Sequence, residues 1–165
     1  MSTGEPLDAQ QVMRLFNQEF AESDTTELIG GAAEPYYEPG SLNRIYFRAD
    51  YVRSALHEVA HWCVAGRRRR RLADYGYWYS PDGRGAAQQQ AFFAVEARPQ
   101  AIERYFCEAI GIPFSPSVDN VGAQIEPKQL HRFEARIEEW CNRFERTGLP
   151  LRAAQFITAL RSMTP

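Results

Sequence analysis

Histidine is scarce in this chain, three residues in 165, and cysteine equally so. Cys63, Cys107 and Cys141 are an odd set with no paired spacing, which argues against a disulfide framework and fits reduced thiols in the cytosol. No apolar run approaches the ~20 residues needed to span a bilayer. Residues 1–6 lack the basic and apolar regions of a signal peptide, so the expected location is cytoplasmic, without a membrane. An excess of one charge is missing too. The 19 basic residues nearly balance the 21 acidic ones, leaving a net charge of −2, so nucleic acid is not an expected partner. Repeats are absent, and low complexity is confined to five consecutive arginines and a short glutamine run. What the chain has is apolar mass: 44% of it is hydrophobic and 13% aromatic, enough for one packed domain spanning 1–165.

Two of the three histidines fall in Ala55-Leu56-His57-Glu58-Val59-Ala60-His61-Trp62, which reads H-E-x-x-H inside an apolar, glycine-free run. On a helix, His57 and His61 lie one turn apart on one face and can grip a single metal ion. Leu56, Val59, Ala60 and Val64 surround the pair with apolar side chains, unlike a solvated surface pair. Cys63 lies two residues past His61, on a different face, and reads as packing.

Around this helix the pattern is mixed. Asp8 caps an opening helix striped by Val12, Leu15, Phe16 and Phe20. Thr25–Ile29 reads as a strand ending in a Gly30-Gly31 turn; Pro35–Tyr37 and Asn43–Phe47 read as two more extended segments around Pro39-Gly40. The motif helix is expected to start after Asp50 and to stop with Gly66 at its C′ position. Arg67–Arg71 reads either as a solvated segment complementing the helix dipole or as a docking patch for an acidic partner. The aromatic run Asp74–Arg84 is either a half-buried strand or a pocket lining, with Tyr77, Tyr79, Asp82 and Arg84 as candidate substrate contacts. A helix over Ala87–Ile110 should kink or break at Pro99 and stop at Gly111; Ser115–Gln124 reads as a loop. Pro127 opens a helix striped by Leu130, Phe133, Ile137, Trp140, Cys141 and Phe144, and a last short helix carries Phe156, Ile157 and Leu160.

Two imidazoles leave at least one protein ligand to find, with further positions open for water or substrate. His131 sits on a helix whose inward stripe is apolar, so a carboxylate is the better third ligand. Glu96, Glu103 and Glu108 are available, and Glu96 lies amid Phe92, Phe93 and Val95, where a carboxylate needs a partner. The set His57, His61 and Glu96 serves two chemistries. With zinc it is a thermolysin-type site, with Glu58 as the base that deprotonates bound water. With iron(II) it is the two-histidine, one-carboxylate arrangement of oxygenases.

The pieces His57–Cys63, Tyr75–Tyr79, Pro81–Arg84 and Val95–Ala101, in this order, resemble the bacterial elongation factor P hydroxylase family over most of the chain. The resemblance implies a non-heme metal hydroxylase on an HExxH metallopeptidase-like fold, with His57, His61 and Glu96 at the family's metal positions. It implies as substrate elongation factor P, typically an acidic protein, carrying a β-lysylated lysine. A 2-oxoglutarate requirement is not assumed, because the family is unlike the jelly-roll oxygenases.

The resulting expectation is a mostly helical α+β domain with a small sheet. It is a monomeric, iron(II)-dependent hydroxylase in which Glu58 acts as the catalytic carboxylate. Its rivals are a zinc peptidase of gluzincin type, which needs an edge strand near the motif helix, and a protein-binding module with a closed structural metal.

Overall fold

The computed structural model describes residues 4–77, 85–118 and 125–164. The described chain is mostly helical. Helix α1 (Ala9–Phe20) leads into strands β1 (Thr26–Ala32), β2 (Tyr36–Glu38) and β3 (Asn43–Arg48). Helices α2 (Val52–Val64), α3 (Ala86–Ile110), α4 (Pro127–Thr147) and α5 (Leu151–Met163) follow. Among the described residues no helix is long and apolar enough to cross a membrane.

Asp8 caps α1 as its sequence suggests. Its side chain accepts from the Gln11 backbone N–H, while the Gln11 side chain accepts from the Asp8 N–H, which satisfies two otherwise orphaned donors. The stripe Val12, Leu15, Phe16 and Phe20 is buried. The three strands form one sheet in the order β1-β3-β2, with β1 parallel and β2 antiparallel to β3. The expected turn at Gly30-Gly31 is instead part of β1, which continues to Ala32. Both glycines are needed there for reasons of space and conformation. A Cβ on Gly30 would lie 2.6 Å from the ring of the fully buried Phe47, and Gly31 takes φ +89° where the register with β3 slips.

Helix α2 is the centre of the core. Its Ala55, Leu56, Val59, Ala60, Trp62 and Cys63 are buried, leaving His57, Glu58 and His61 on the remaining face. Trp62 lies edge-on to Phe16 at 5.2 Å and to Phe20 at 4.9 Å, and Phe156 of α5 meets Phe16 at 5.8 Å and Phe106 of α3 at 5.1 Å. Aromatics of three other helices therefore fix α2 from behind, and the buried Leu28, Ile45 and Phe47 of the sheet extend the same core.

The ends of α2 differ from expectation. Its N-cap is Tyr51, with no side-chain cap, and the helix stops because Ala65 turns to extended backbone. No left-handed glycine is involved: Gly66 is not among the positive-φ residues. The last carbonyls are taken by arginines. Arg152 of α5 donates to the carbonyl oxygens of Cys63 and Ala65, and Arg70 donates to that of Ala65. Helix α3 runs unbroken through Pro99, which supplies no N–H to the Val95 carbonyl, and ends at a left-handed Gly111. The segment after it, 112–118, is irregular; the rest of the expected loop, 119–124, lies outside the described residues.

Candidate metal centre

The packing of α2 against α3 builds a ladder of polar side chains. Arg53, His57 and His61 recur every fourth residue on α2, and Glu96 and Glu103 stand seven apart on α3, so each set shares a face. The helices run antiparallel: Arg53 pairs with Glu103, His57 lies between Glu103 and Glu96, and His61 pairs with Glu96.

His57, His61 and Glu96 converge on one point, the geometry that the sequence suggested. The two Nε2 atoms are 3.1 Å apart, Glu96 Oε1 is 3.4 Å from His57 Nε2, and Glu96 Oε2 is 2.7 Å from His61 Nε2. Ligands bound at ~2.1 Å with angles of 90–110° would stand about 3.0–3.4 Å apart, which the 3.1 and 3.4 Å spacings match and the 2.7 Å one approaches within a few tenths of an ångström. Glu96 Oε2 is buried and makes no hydrogen bond of good geometry despite its nearness to His61. Two imidazole nitrogens and a buried carboxylate gathered within 4.8 Å of one another form a donor set that could hold a metal ion. Among the described residues no fourth cysteine, histidine, aspartate or glutamate joins the cluster. Both histidine rings retain partial exposure, leaving an open side.

The electrostatics of the cluster without a metal follow from its burial. Burial pulls the His57 imidazole down, but the Glu96 and Glu103 carboxylates more than offset this and hold it well above its ordinary value. Burial pushes the Glu96 carboxyl up, and the two histidines outweigh that and hold it far below the usual carboxylate range. The neighbouring Glu58 carboxyl is raised, with burial the largest cause.

Glu103 and Glu108, the other carboxylates weighed for the third ligand, are elsewhere. Glu108 is exposed and lies 3.6 Å from Arg104. Glu103, only 2% exposed, accepts from His57 Nδ1 at 2.6 Å and from the Arg53 guanidinium at 2.9 and 2.5 Å. With Nδ1 carrying the proton given to Glu103, the lone pair of Nε2 is directed at the cluster. Arg53 in turn donates to the carbonyl oxygens of Pro113 and Ser115 and covers the Phe114 ring. Gln100, one turn before Glu103, clasps the backbone of Ser117 through its carbonyl and amide. Segment 112–118 is thus strapped to the back of the site. Sequence reasoning missed Arg53 and the supporting role of Glu103; their spacing from His57 and Glu96 was the available signal.

On the other side, the aromatic run is not a strand where it is described. Residues Ala73–Gly76 form a tight turn in which Asp74 and Tyr75 both adopt left-handed backbone, at φ 49° and 60°. The turn is held by Asp74, which accepts from the Tyr37 N–H, by Arg69, which donates to the Tyr75 carbonyl, and by stacking of Tyr75 on Tyr37 at 4.3 Å. The Tyr75 ring lies parallel to His61 at 6.5 Å. Tyr77, under the Arg69 guanidinium at 3.9 Å, lines a hollow of about 570 Å³ that starts at His61. Tyr79, Asp82 and Arg84 lie outside the described residues. The buried Cys63 thiol, pushed up to about 12 by burial, packs in the core and His131 is exposed, as expected.

A family model described as elongation factor P hydroxylase matches residues 15–164. The elongation factor P lysine hydroxylase of Haemophilus influenzae is 40% identical over 155 residues, which cover 92% of this chain and 86% of that protein. With near full-length agreement on both sides, the chain belongs to the elongation factor P hydroxylase family and is an enzyme.

Proposed function

We propose that the chain is a single metal-dependent domain that hydroxylates the β-lysylated lysine of elongation factor P, with His57, His61 and Glu96 as the ligands of an iron(II) ion. The observation that carries the reading is the three-point convergence of two Nε2 atoms and a buried carboxylate with one side left open. A structural metal would be closed by a fourth protein ligand. The acid-bearing helix after an H-E-x-x-H helix and the small sheet ahead of it also agree with an HExxH metallopeptidase-like ancestry. Zinc would fit the same donors, and iron is preferred because a lysine hydroxylation needs a metal that activates dioxygen.

Iron(II) held by His57, His61 and Glu96 would supply dioxygen activation. The chain's own residues do the rest. Glu103 fixes the orientation of His57, and Arg53 holds Glu103 in place. Glu58, with its carboxyl raised by burial, is positioned to hold or release a proton beside the site and to orient the incoming amine. Tyr75 and Tyr77 wall the hollow beside His61 through which a long side chain can enter. The test is to incubate iron-loaded protein and a reductant with β-lysylated elongation factor P under air and weigh the product. Addition of one oxygen is expected; a cut chain indicates a peptidase, and no mass change indicates a binding protein.

A further inference from the structure

Helix α4 sorts its charges to opposite edges. Glu134 and Glu138 face a hollow shared with Arg104 and Glu108, and Arg104 Nη1 pairs with Glu138 at 2.5 Å. The opposite edge carries Arg136, Arg143 and Arg146, which line a second hollow of about 520 Å³ with Glu139 as the only acid among its described lining residues. That hollow meets the one beside His61 at Ala94 and Trp140. Among the described residues the hollow beside His61 is lined by Arg67, Arg68, Arg69 and Arg98 and by no acid.

The two hollows make one groove, running from the metal-site histidine across Trp140 and along about 15 Å of α4 at its rise per residue. Among the described residues seven arginines, four from one hollow and three from the other, line it with a single carboxylate, in a chain whose acidic residues outnumber its basic ones overall. Among the described residues Arg67, Arg68, Arg136, Arg143 and Arg146 form no ion pair, although Arg53 and Arg104 do. Trp140 is only half-buried at the junction, with the Arg98 guanidinium 5.1 Å from its ring and that of Arg143 at 5.0 Å. A tryptophan between two arginines, in the middle of a groove, is the residue pattern of a binding hot spot.

We infer that this groove docks an acidic protein surface, the one that surrounds the side chain delivered to His57, His61 and Glu96. The inference rests on the hydroxylase reading for what is delivered, and on the groove alone for the chemistry of what docks. Guanidinium forks match carboxylates two bonds at a time and desolvate more readily than ammonium groups, and all but one of the chain's basic residues are arginine. A net charge of −2 and an isoelectric point near 6.0 set the chain apart from a general nucleic-acid binder, whose domain is basic throughout. Only some of the five-arginine run takes part. Arg70 caps α2 and Arg69 holds the Tyr75 turn, while Arg67 and Arg68 are exposed at the mouth of the groove.

The test reverses the α4 edge in the full chain, as the triple variant Arg136→Glu, Arg143→Glu, Arg146→Glu. The control reverses two exposed arginines that line neither hollow, Arg14→Glu and Arg161→Glu. Thermal melts establish that both are folded, and a failure of the triple variant to fold transfers the test to Arg143→Glu alone. With β-lysylated elongation factor P as substrate, KM in the α4 variant should rise roughly 10- to 100-fold at low salt, with the loss shrinking as salt is raised. The control should keep the parent KM. An unchanged KM in the α4 variant, or a loss insensitive to salt, overturns the docking assignment. Failure of the parent protein to hydroxylate overturns the functional reading instead. The docking inference then stands or falls on whether unmodified elongation factor P binds the parent and not the α4 variant. Binding of a 20-nucleotide RNA that is lost in the α4 variant, with protein affinity unchanged, would reassign the groove to nucleic acid.

Discussion

Removing Glu103 separates a positioning carboxylate from a ligand. Its Oε1 takes the His57 Nδ1 proton and its Oε2 takes Arg53, all at 2% exposure. Glu103→Gln keeps the shape and an acceptor but removes the charge that makes His57 a more basic ligand. Loss of such an outer hydrogen bond costs about 10- to 100-fold in metal affinity, or roughly 1.4–2.7 kcal/mol. Arg53→Gln should act through the same carboxylate. Breaking a fully buried pair costs about 3–5 kcal/mol of stability, but Arg53 is 34% exposed and keeps solvent contact, so about 1–3 is expected. Because both residues act through one carboxylate, the double variant should lose less than the two single losses together. The assay is competition with a coloured chelator for iron(II) under anaerobic conditions, alongside thermal melts with and without metal. Glu96→Ala, by contrast, should lose most bound metal while remaining folded. The reasoning fails if Glu103→Gln binds metal within twofold of the parent, or if Glu103→Ala abolishes binding while Glu96→Ala keeps it.

Two other outcomes follow from the same cluster. Glu58→Gln should keep the metal and retain partial hydroxylation, since the oxidant comes from dioxygen; full metal occupancy with no product would make Glu58 indispensable. The raised His57 value means the metal-free imidazole holds its proton to higher pH than an ordinary one, and a bound metal must displace that proton. Metal affinity should therefore climb with pH up to that raised value, and calorimetry in two buffers below it should show proton release on metal binding; zero release would contradict the charge assignment. Stability of the metal-free form follows the opposite course. The contribution of His57 is complete below its ordinary value and fades as pH rises through the raised one. That of Glu96 is complete above the ordinary carboxylate range and fades as pH falls through its lowered one.

The sequence by itself determined the parts of this protein that depend on local periodicity. His57 and His61 share a face because a helix repeats every 3.6 residues, and the apolar neighbours that bury the rest of α2 are contiguous with them. The stripes of α1 and α4, the stop at Gly111 and Pro127 at the start of α4 are likewise encoded within a few residues of where they act. Glu96 was legible as a carboxylate too apolar in its surroundings to stand alone. Where local signals misled, a longer-range contact prevailed. Gly30 reads as a turn but makes room for Phe47 from another strand. Of the two readings of the aromatic run, strand or pocket lining, its described start is no strand, because Asp74 and Arg69 hold it in a left-handed turn, and Tyr75 and Tyr77 line the hollow. Only the tertiary structure decided that Glu103 serves His57 from behind, because that depends on α2 and α3 running antiparallel in one register. The groove is of the same kind. Arginines about 70 residues apart, near-neutral in sum with the chain's acids, become one basic surface when α4 turns its arginine edge toward Arg67 and Arg68. Net charge adds over a sequence, whereas the field at a site depends on where each charge sits.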